Sequence, residues 1–185
     1  MPRFVRIAAV LLAVACLAPL SAAAQDASAP VRRNSFPIFF DFFGTWRGEG
    51  VVGGWPSKIE MTWAPVIDGR FIRVTWKNDM VSKTGEPSRF EGEGTYRPMP
   101  DIEAHYNGTW FDSQSMSYAL VGRVAGDSLA TTWTQSSGAQ GRTTYRLVDR
   151  NTMTVRDEML RDGKWNGFGL STLVRQPAKA APPTD

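Results

Sequence analysis

Over most of its length this chain alternates apolar and polar residues with a period of two, and that rhythm restricts the fold more than any other feature. A strand turns successive side chains to opposite faces, so a two-residue period marks sheet with one wet face and one dry face. Ile59, Met61 and Trp63 alternate with Lys58, Glu60 and Thr62. Ile72, Val74 and Trp76 alternate with Arg73, Thr75 and Lys77, and Tyr106, Gly108 and Trp110 with His105, Asn107 and Thr109. Ala104 is placed at the head of that run. The pattern recurs around Phe90 to Tyr96, Met116 to Leu120, Leu129 to Trp133, Thr143 to Leu147 and Met153 to Met159, and a last segment runs from Lys164 to Arg175. Together with Gly44 to Val52 this predicts about ten strands.

Turn-forming pairs separate the runs. They include Asp68-Gly69, Lys83 to Gly85, Asp112-Ser113, Ala125 to Asp127, Asp149 to Asn151 and Asp162-Gly163. Short, evenly spaced strands joined by such turns predict a sandwich or a barrel. Closure removes the exposed edges that a sandwich must protect. Glycines inside strands (Gly48, Gly50, Gly92, Gly94, Gly167, Gly169) suit sharp coiling at barrel corners. The expected fold is therefore all-β, a single closed antiparallel up-and-down barrel. A short N-terminal helical plug is expected, capped by Ser35, with Pro37 early in it and Phe36, Phe39, Phe40 and Phe43 as its apolar contacts.

The ends read differently. Arg3 and Arg6 precede an apolar run from Ile7 to Ala18, and Ala22 to Ala24 precede Gln25. This is the pattern of a secretory signal peptide, with cleavage expected after Ala24. The run is shorter than the roughly 20 residues of a transmembrane helix, and no later segment is apolar enough to span. Cys16, in Leu12-Ala-Val-Ala-Cys16, loosely resembles a lipoprotein processing site. Ala13 stands where leucine is usual, however, so lipid anchoring at Cys16 is the lesser expectation. Residues 1–24 are thus read as signal peptide, 25–34 as a flexible leader, 35–175 as the barrel domain and 176–185 as a disordered tail. Cys16 is the only cysteine, so a chain cut after Ala24 holds no disulfide and depends on its own core. The chain carries 21 basic and 18 acidic residues; without Arg3 and Arg6 the excess is 19 over 18, or +1. No basic run suited to nucleic acid is present. An alanine-rich leader and a cysteine-free domain together point to a Gram-negative periplasm.

Several phrases carry a resemblance. Gly44-Thr-Trp46 opens the first strand and Arg175 ends the last. This looks like the calycin signature, in which a Gly-x-Trp indole closes the barrel floor under a basic side chain of the final strand. Gly44-Thr-Trp-Arg-Gly48, Asp68-Gly-Arg-Phe71, Gly92-Glu-Gly-Thr-Tyr96, Tyr106-Asn-Gly-Thr-Trp-Phe-Asp-Ser113 and Asp162-Gly-Lys164 follow in order. The series resembles a widespread bacterial family of uncharacterised lipocalin-like barrels, over about residues 42 to 175. That family often has aspartate where Arg97 stands here. More distantly, Gly44 to Gly50 resembles the opening of the haem-binding nitrobindin barrels, and the chain is similar at the same distance to fatty-acid-binding-protein-like barrels. The nitrobindin iron ligand is a late histidine, and nothing after His105 is a histidine, so no haem is expected and no cofactor is predicted.

A barrel of this size can enclose one small ligand. The residues expected inside include Trp63, Trp76, Tyr96, Tyr106, Trp110, Tyr118, Trp133 and Tyr145, with Met61, Phe90, Met116, Met153 and Met159. Each either lines an apolar pocket or fills the lumen, and both readings stay open. Asp157 stands out because its parity places a carboxylate with Met153, Val155 and Met159. Inside, it must be paired, solvated or protonated. Alternatively a bulge at the strand end turns it outward to a surface cation. His105 is expected to face solvent. One histidine and no cysteine after residue 24 leave no zinc site of ordinary composition. Asp112-Ser113 reads as a turn, Asn107 to Thr109 as an incidental sequon, and Gly48 to Gly54 as strand rather than a phosphate loop.

Three functions follow. The first is binding of a small hydrophobic or amphipathic molecule in the lumen. The second is an isomerase, cyclase or hydrolase using Asp157 with Tyr106 or Tyr118 as acid and base. The third is an interaction module with a filled lumen and an apolar outer wall. Neither ligand identity nor oligomeric state is legible.

Overall fold

A computed structural model describes residues 39–178. The expected signal peptide and leader, Cys16, Ser35, Phe36, Pro37 and most of the tail lie outside them. A single helical turn, α1 (Phe39–Phe42), precedes ten strands: β1 (Gly44–Val52), β2 (Trp55–Val66), β3 (Phe71–Val81), β4 (Pro87–Pro98), β5 (His105–Asp112), β6 (Ser117–Ala125), β7 (Ser128–Gln135), β8 (Gln140–Leu147), β9 (Thr152–Arg161) and β10 (Lys164–Arg175). Every strand pairs antiparallel with its neighbours in sequence, and β1 pairs with β10 to close the barrel. The closing register sets Trp46 opposite Arg175 and Val52 opposite Gly169. The all-β closed barrel is as the alternation implies. The helical plug is not shown, since only one turn of it falls within the described residues. No helix among them is long and apolar enough to cross a membrane.

One end of the barrel is packed shut. Trp46, Met61, Trp63, Ile72, Leu129, Met153 and Leu173 lose nearly all contact with solvent there, together with Phe39 and Phe42. The Phe39 ring meets Tyr106 edge-on at 4.8 Å between centroids and Trp63 at 5.5 Å. Trp46 donates its indole N–H to the Phe42 carbonyl at 2.7 Å, which satisfies a polar group that burial would otherwise strand. The Arg175 guanidinium lies 4.1 Å from the centre of the Trp46 ring. Its other donors reach the carbonyls of Asp41, Phe43 and Arg150, so one side chain ties together α1, β10 and the β8–β9 turn. Gly44 has φ +113°, a backbone that glycine adopts without strain, and this brings the chain in beneath that guanidinium.

Three local readings need correction. Gly53 and Gly54 do not continue β1. With φ of +62° and +82° they form the two-residue hairpin to β2, the turn whose twist suits neighbouring strands. Ala104 has φ +57° and belongs to the β4–β5 turn, so β5 begins at His105. Met116 precedes β6 and donates its backbone N–H to the Asp112 carboxylate at 3.2 Å, closing the β5–β6 turn. Periodicity cannot separate a strand end from the first residue of a turn when both happen to fit the parity.

Candidate functional site

The other end of the barrel stays open. Above the packed floor lies a cavity of about 450 Å³ inside the strands. Trp76, Phe90, Trp110 and Trp133 form much of its wall, with Leu120 and Val155 deeper and Trp55 and Phe168 toward the mouth. Two of the indoles lie over glycines. A Cβ on Gly92 would sit 2.1 Å from the Trp110 ring, and one on Gly141 would sit 1.9 Å from Trp133. These glycines give the indoles room to lie against the wall instead of standing across the lumen. Tyr118 meets Trp133 edge to face at 5.3 Å and accepts a hydrogen bond from Gln135 Nε2 at 3.1 Å.

Polar groups gather on one side. Tyr96 donates its hydroxyl proton to Thr131 Oγ1 at 3.2 Å and also bonds the hydroxyl of Tyr145. Burial pushes the Tyr96 hydroxyl up to about 12 and raises Tyr145 well above its ordinary value, so both are neutral donors. Beside them Thr143 donates to Asp157 Oδ1 at 2.7 Å. Asp157 points into the cavity and packs over Gly169, where a Cβ would sit 2.6 Å from Oδ2. Burial raises this carboxyl to about 6, and the Thr143 hydrogen bond opposes the rise only in part.

The bulge considered for Asp157 exists, but in the facing strand. The β9–β10 register slips between Gly167 and Gly169, leaving Phe168 as the extra residue. That slip turns Phe168 to the cavity mouth and leaves the inward parity of Asp157 intact. The next residue, Glu158, faces outward. It takes the guanidinium of Arg142 at 2.6 Å and that of Arg156 at 3.2 Å.

Of the nine residues expected at a ligand site, seven share this cavity: Trp76, Tyr96, Trp110, Tyr118, Trp133, Tyr145 and Asp157. Trp63 and Tyr106 do not. They are packed against Phe39 at the floor, with Trp63 stacked under Tyr96 at 5.8 Å. Tyr106 is therefore no partner for Asp157, and Tyr118 spends its contacts on Gln135 and Trp133. The tyrosine whose hydroxyl feels the Asp157 charge is Tyr145. His105 sits at the closed end, with Nδ1 2.8 Å from the Glu103 carbonyl. No group of three or more His, Cys, Asp or Glu among the described residues could hold a metal.

Asn78, Thr131 and Thr143 also line the cavity and were not expected at the site. Each had a signal. Asn78 lies two residues beyond Trp76 on the same parity, Thr131 two before Trp133, and Thr143 two before Tyr145. Asn78 is almost wholly buried and its Oδ1 has no hydrogen-bond partner. Phe168 had no signal, because a bulge breaks the parity that would have announced it.

Two solved structures share this architecture. Rv2717c from M. tuberculosis aligns with a TM-score of 0.59 at 16% identity, covering 77% of this chain and 97% of its own. The S-type phycobiliprotein lyase CPES from Guillardia theta aligns with a TM-score of 0.57 at 13% identity, covering 78% and 94%. At these identities the likeness is one of fold. No family model matches the chain, and no curated protein matches it.

Proposed function

We propose that this barrel binds one small amphipathic molecule in its lumen. The observation that carries the reading is the 450 Å³ cavity, closed below, open above and walled by indoles. That volume falls within the range of small-molecule sites, and such sites combine an apolar lining with a few convergent polar groups. Here those groups are Asp157, Tyr145, Tyr96, Thr131 and Asn78. A module without a ligand would gain stability by filling this space, since dense packing is the rule in protein interiors.

The test is binding of the neutral dye Nile red, followed by quenching of the lumen tryptophans, alongside native mass spectrometry of protein isolated from its own host. Saturable one-to-one binding is expected. Leu120→Trp, which pushes an indole into the cavity from β6, should weaken it at least about tenfold, or about 1.4 kcal/mol. Dye that neither saturates nor responds to the narrowed lumen would refute the reading.

A second reading is supported by one pair of groups. Asp157, held near 6, lies beside the neutral hydroxyl of Tyr145, and such a pair can exchange protons with a bound molecule. Turnover by this route would be abolished in Asp157→Asn and strongly reduced in Tyr145→Phe.

The same proposal places the protein outside the cytoplasm, processed after Ala24, as a member of the lipocalin-like bacterial barrels that its phrases resemble. Intact mass of the chain from a periplasmic fraction should correspond to a start at Gln25. A lipid-modified start at Cys16 or an unprocessed chain would contradict it.

A further inference from the structure

The chemistry of the ligand's head can be read from charge inside the cavity. Two carboxylates line it, Asp112 and Asp157, and among the described residues no lysine, arginine or histidine does. Asp112 is already engaged, accepting the backbone N–H groups of Gln114 and Met116 at 3.0 and 3.2 Å. Asp157 has one protein donor, the neutral hydroxyl of Thr143. The arginines flanking it in the sheet turn away: Arg142 and Arg156 both go to Glu158 on the outer wall. A half-buried carboxylate that faces the lumen without a counter-ion is an unbalanced charge, and a cation from outside would balance it.

The walls point the same way. Trp76, Trp110, Trp133, Tyr118 and Phe90 present rings to the lumen, and the faces of such rings attract cations, above all when water is excluded. Asn78 adds a buried carbonyl oxygen with no partner. Trp63 Nε1 and Ser171 Oγ are likewise unpartnered, but neither residue lines the cavity. An amide can present either edge to a ligand, so the sign of the head group is set by the carboxylates and the rings.

We infer that the molecule held in this lumen carries an organic cation, an ammonium or amidinium group on an apolar body, with Asp157 as its counter-ion. This rests on the lumen-binding reading above and adds the charge class. Anionic amphiphiles such as fatty acids are selected against, because their carboxylate would meet Asp157 with no basic side chain between them.

The pH response follows from the surroundings of Asp157. Thr143 and Tyr145 face it from β8, Gly169 and Ser171 from β10, and Asp112 lies at the mouth; none of these supplies a positive charge. Burial holds the Asp157 carboxyl near 6, so it is ionised at neutral pH and protonated below. Cation affinity should therefore fall as pH drops through about 6, while binding of a neutral analogue stays level.

The experiment is calorimetric titration of the intact protein with octylamine, octanol and octanoate, three molecules with one tail and different heads. Octylamine should bind at least about tenfold tighter than octanol, and octanoate more weakly than either. Asp157→Asn should bring octylamine to within about threefold of octanol. The wild-type ranking stands whether or not that variant folds. Octanol binding as tightly as octylamine, or octanoate binding tightest, would overturn the cationic head and leave the lumen reading intact. If none of the three binds and Nile red is not taken up, the lumen reading itself falls, and this inference with it.

Discussion

Asp157 and Glu158 are neighbours in sequence with opposite fates, and the difference is parity. Glu158 faces outward under two guanidinium groups, whereas Asp157 faces inward with a hydroxyl. The consequence for stability has a definite sign. The Asp157 carboxyl is raised by burial to about 6 in the folded chain against 3.8 ordinarily. Between those values the folded state holds more protons than the unfolded state, so stability rises as pH falls from 7 toward 4. The gain is at most about 3 kcal/mol, less where cavity water reaches the carboxylate. Asp157→Asn should therefore raise the melting temperature at pH 7 and change it little at pH 4; an equal effect at both would contradict the burial argument. The sequence carried the inward placement of this residue in its two-residue rhythm. What it lacked was the position of the bulge, which depends on how β10 curls against β9 and leaves no mark in composition. The same rhythm reached Asn78, but a polar residue near the end of a run reads as the strand leaving the core.

At the level of strands, glycines decide how closely the wall can coil and where the indoles lie. They are of two kinds. A Cβ on Gly108 would sit 1.8 Å from the Thr95 carbonyl oxygen, and one on Gly48 would sit 2.0 Å from that of Thr172. Those obstacles are backbone of the adjacent strand. At Gly141 the obstacle is the Trp133 ring, a side chain with space beside it in the cavity. Gly108→Ala should thus force β4 and β5 apart and destabilise by about 3 kcal/mol, at the upper end of overpacking effects. Gly141→Ala should cost roughly 1 kcal/mol, because Trp133 can swing into the lumen. The second change should instead shift the emission of the lumen tryptophans and weaken Nile red binding. Chemical denaturation with a binding titration on both variants checks the contrast, and equal losses of stability would defeat it. Glycine in a strand signals coiling or close approach in general. Which strand or ring makes the approach depends on cross-strand register, and register is set by the turns. The Gly53-Gly54 hairpin shows the difficulty, since it matches the glycine pattern of the strand that it ends.

For the molecule as a whole, the long-range problem is closure. Every other strand pair is joined by a short hairpin, but β1 and β10 come from opposite ends of the chain and must find each other. Their meeting was implied by the resemblance of Gly44, Trp46 and Arg175 to the calycin signature, and the register sets Trp46 opposite Arg175. The sequence could not announce which end of the barrel stays open, since outside the Phe168 bulge the alternation runs on from floor to mouth. The floor is set by α1 and by the side chains Phe39, Phe42 and Trp63 that fill it, and the cavity is what they leave. Arg175 joins these parts, with its guanidinium over Trp46 and its donors on three carbonyls from α1, the α1–β1 junction and the β8–β9 turn. Removing it would take the donor from the part-buried Phe43 carbonyl and uncover the indole. Arg175→Ala should cost about 2–4 kcal/mol, combining a cation–π contact with charged hydrogen bonds. Lysine keeps the charge but not the planar fork, so Arg175→Lys should recover less than half of that loss. Because the seam is a long-range contact, the loss should also open β1 and β10 to hydrogen exchange ahead of β5 to β7. Exchange that rises evenly around the barrel would mean the seam is held by its backbone ladder alone, with Arg175 serving only to cover the floor.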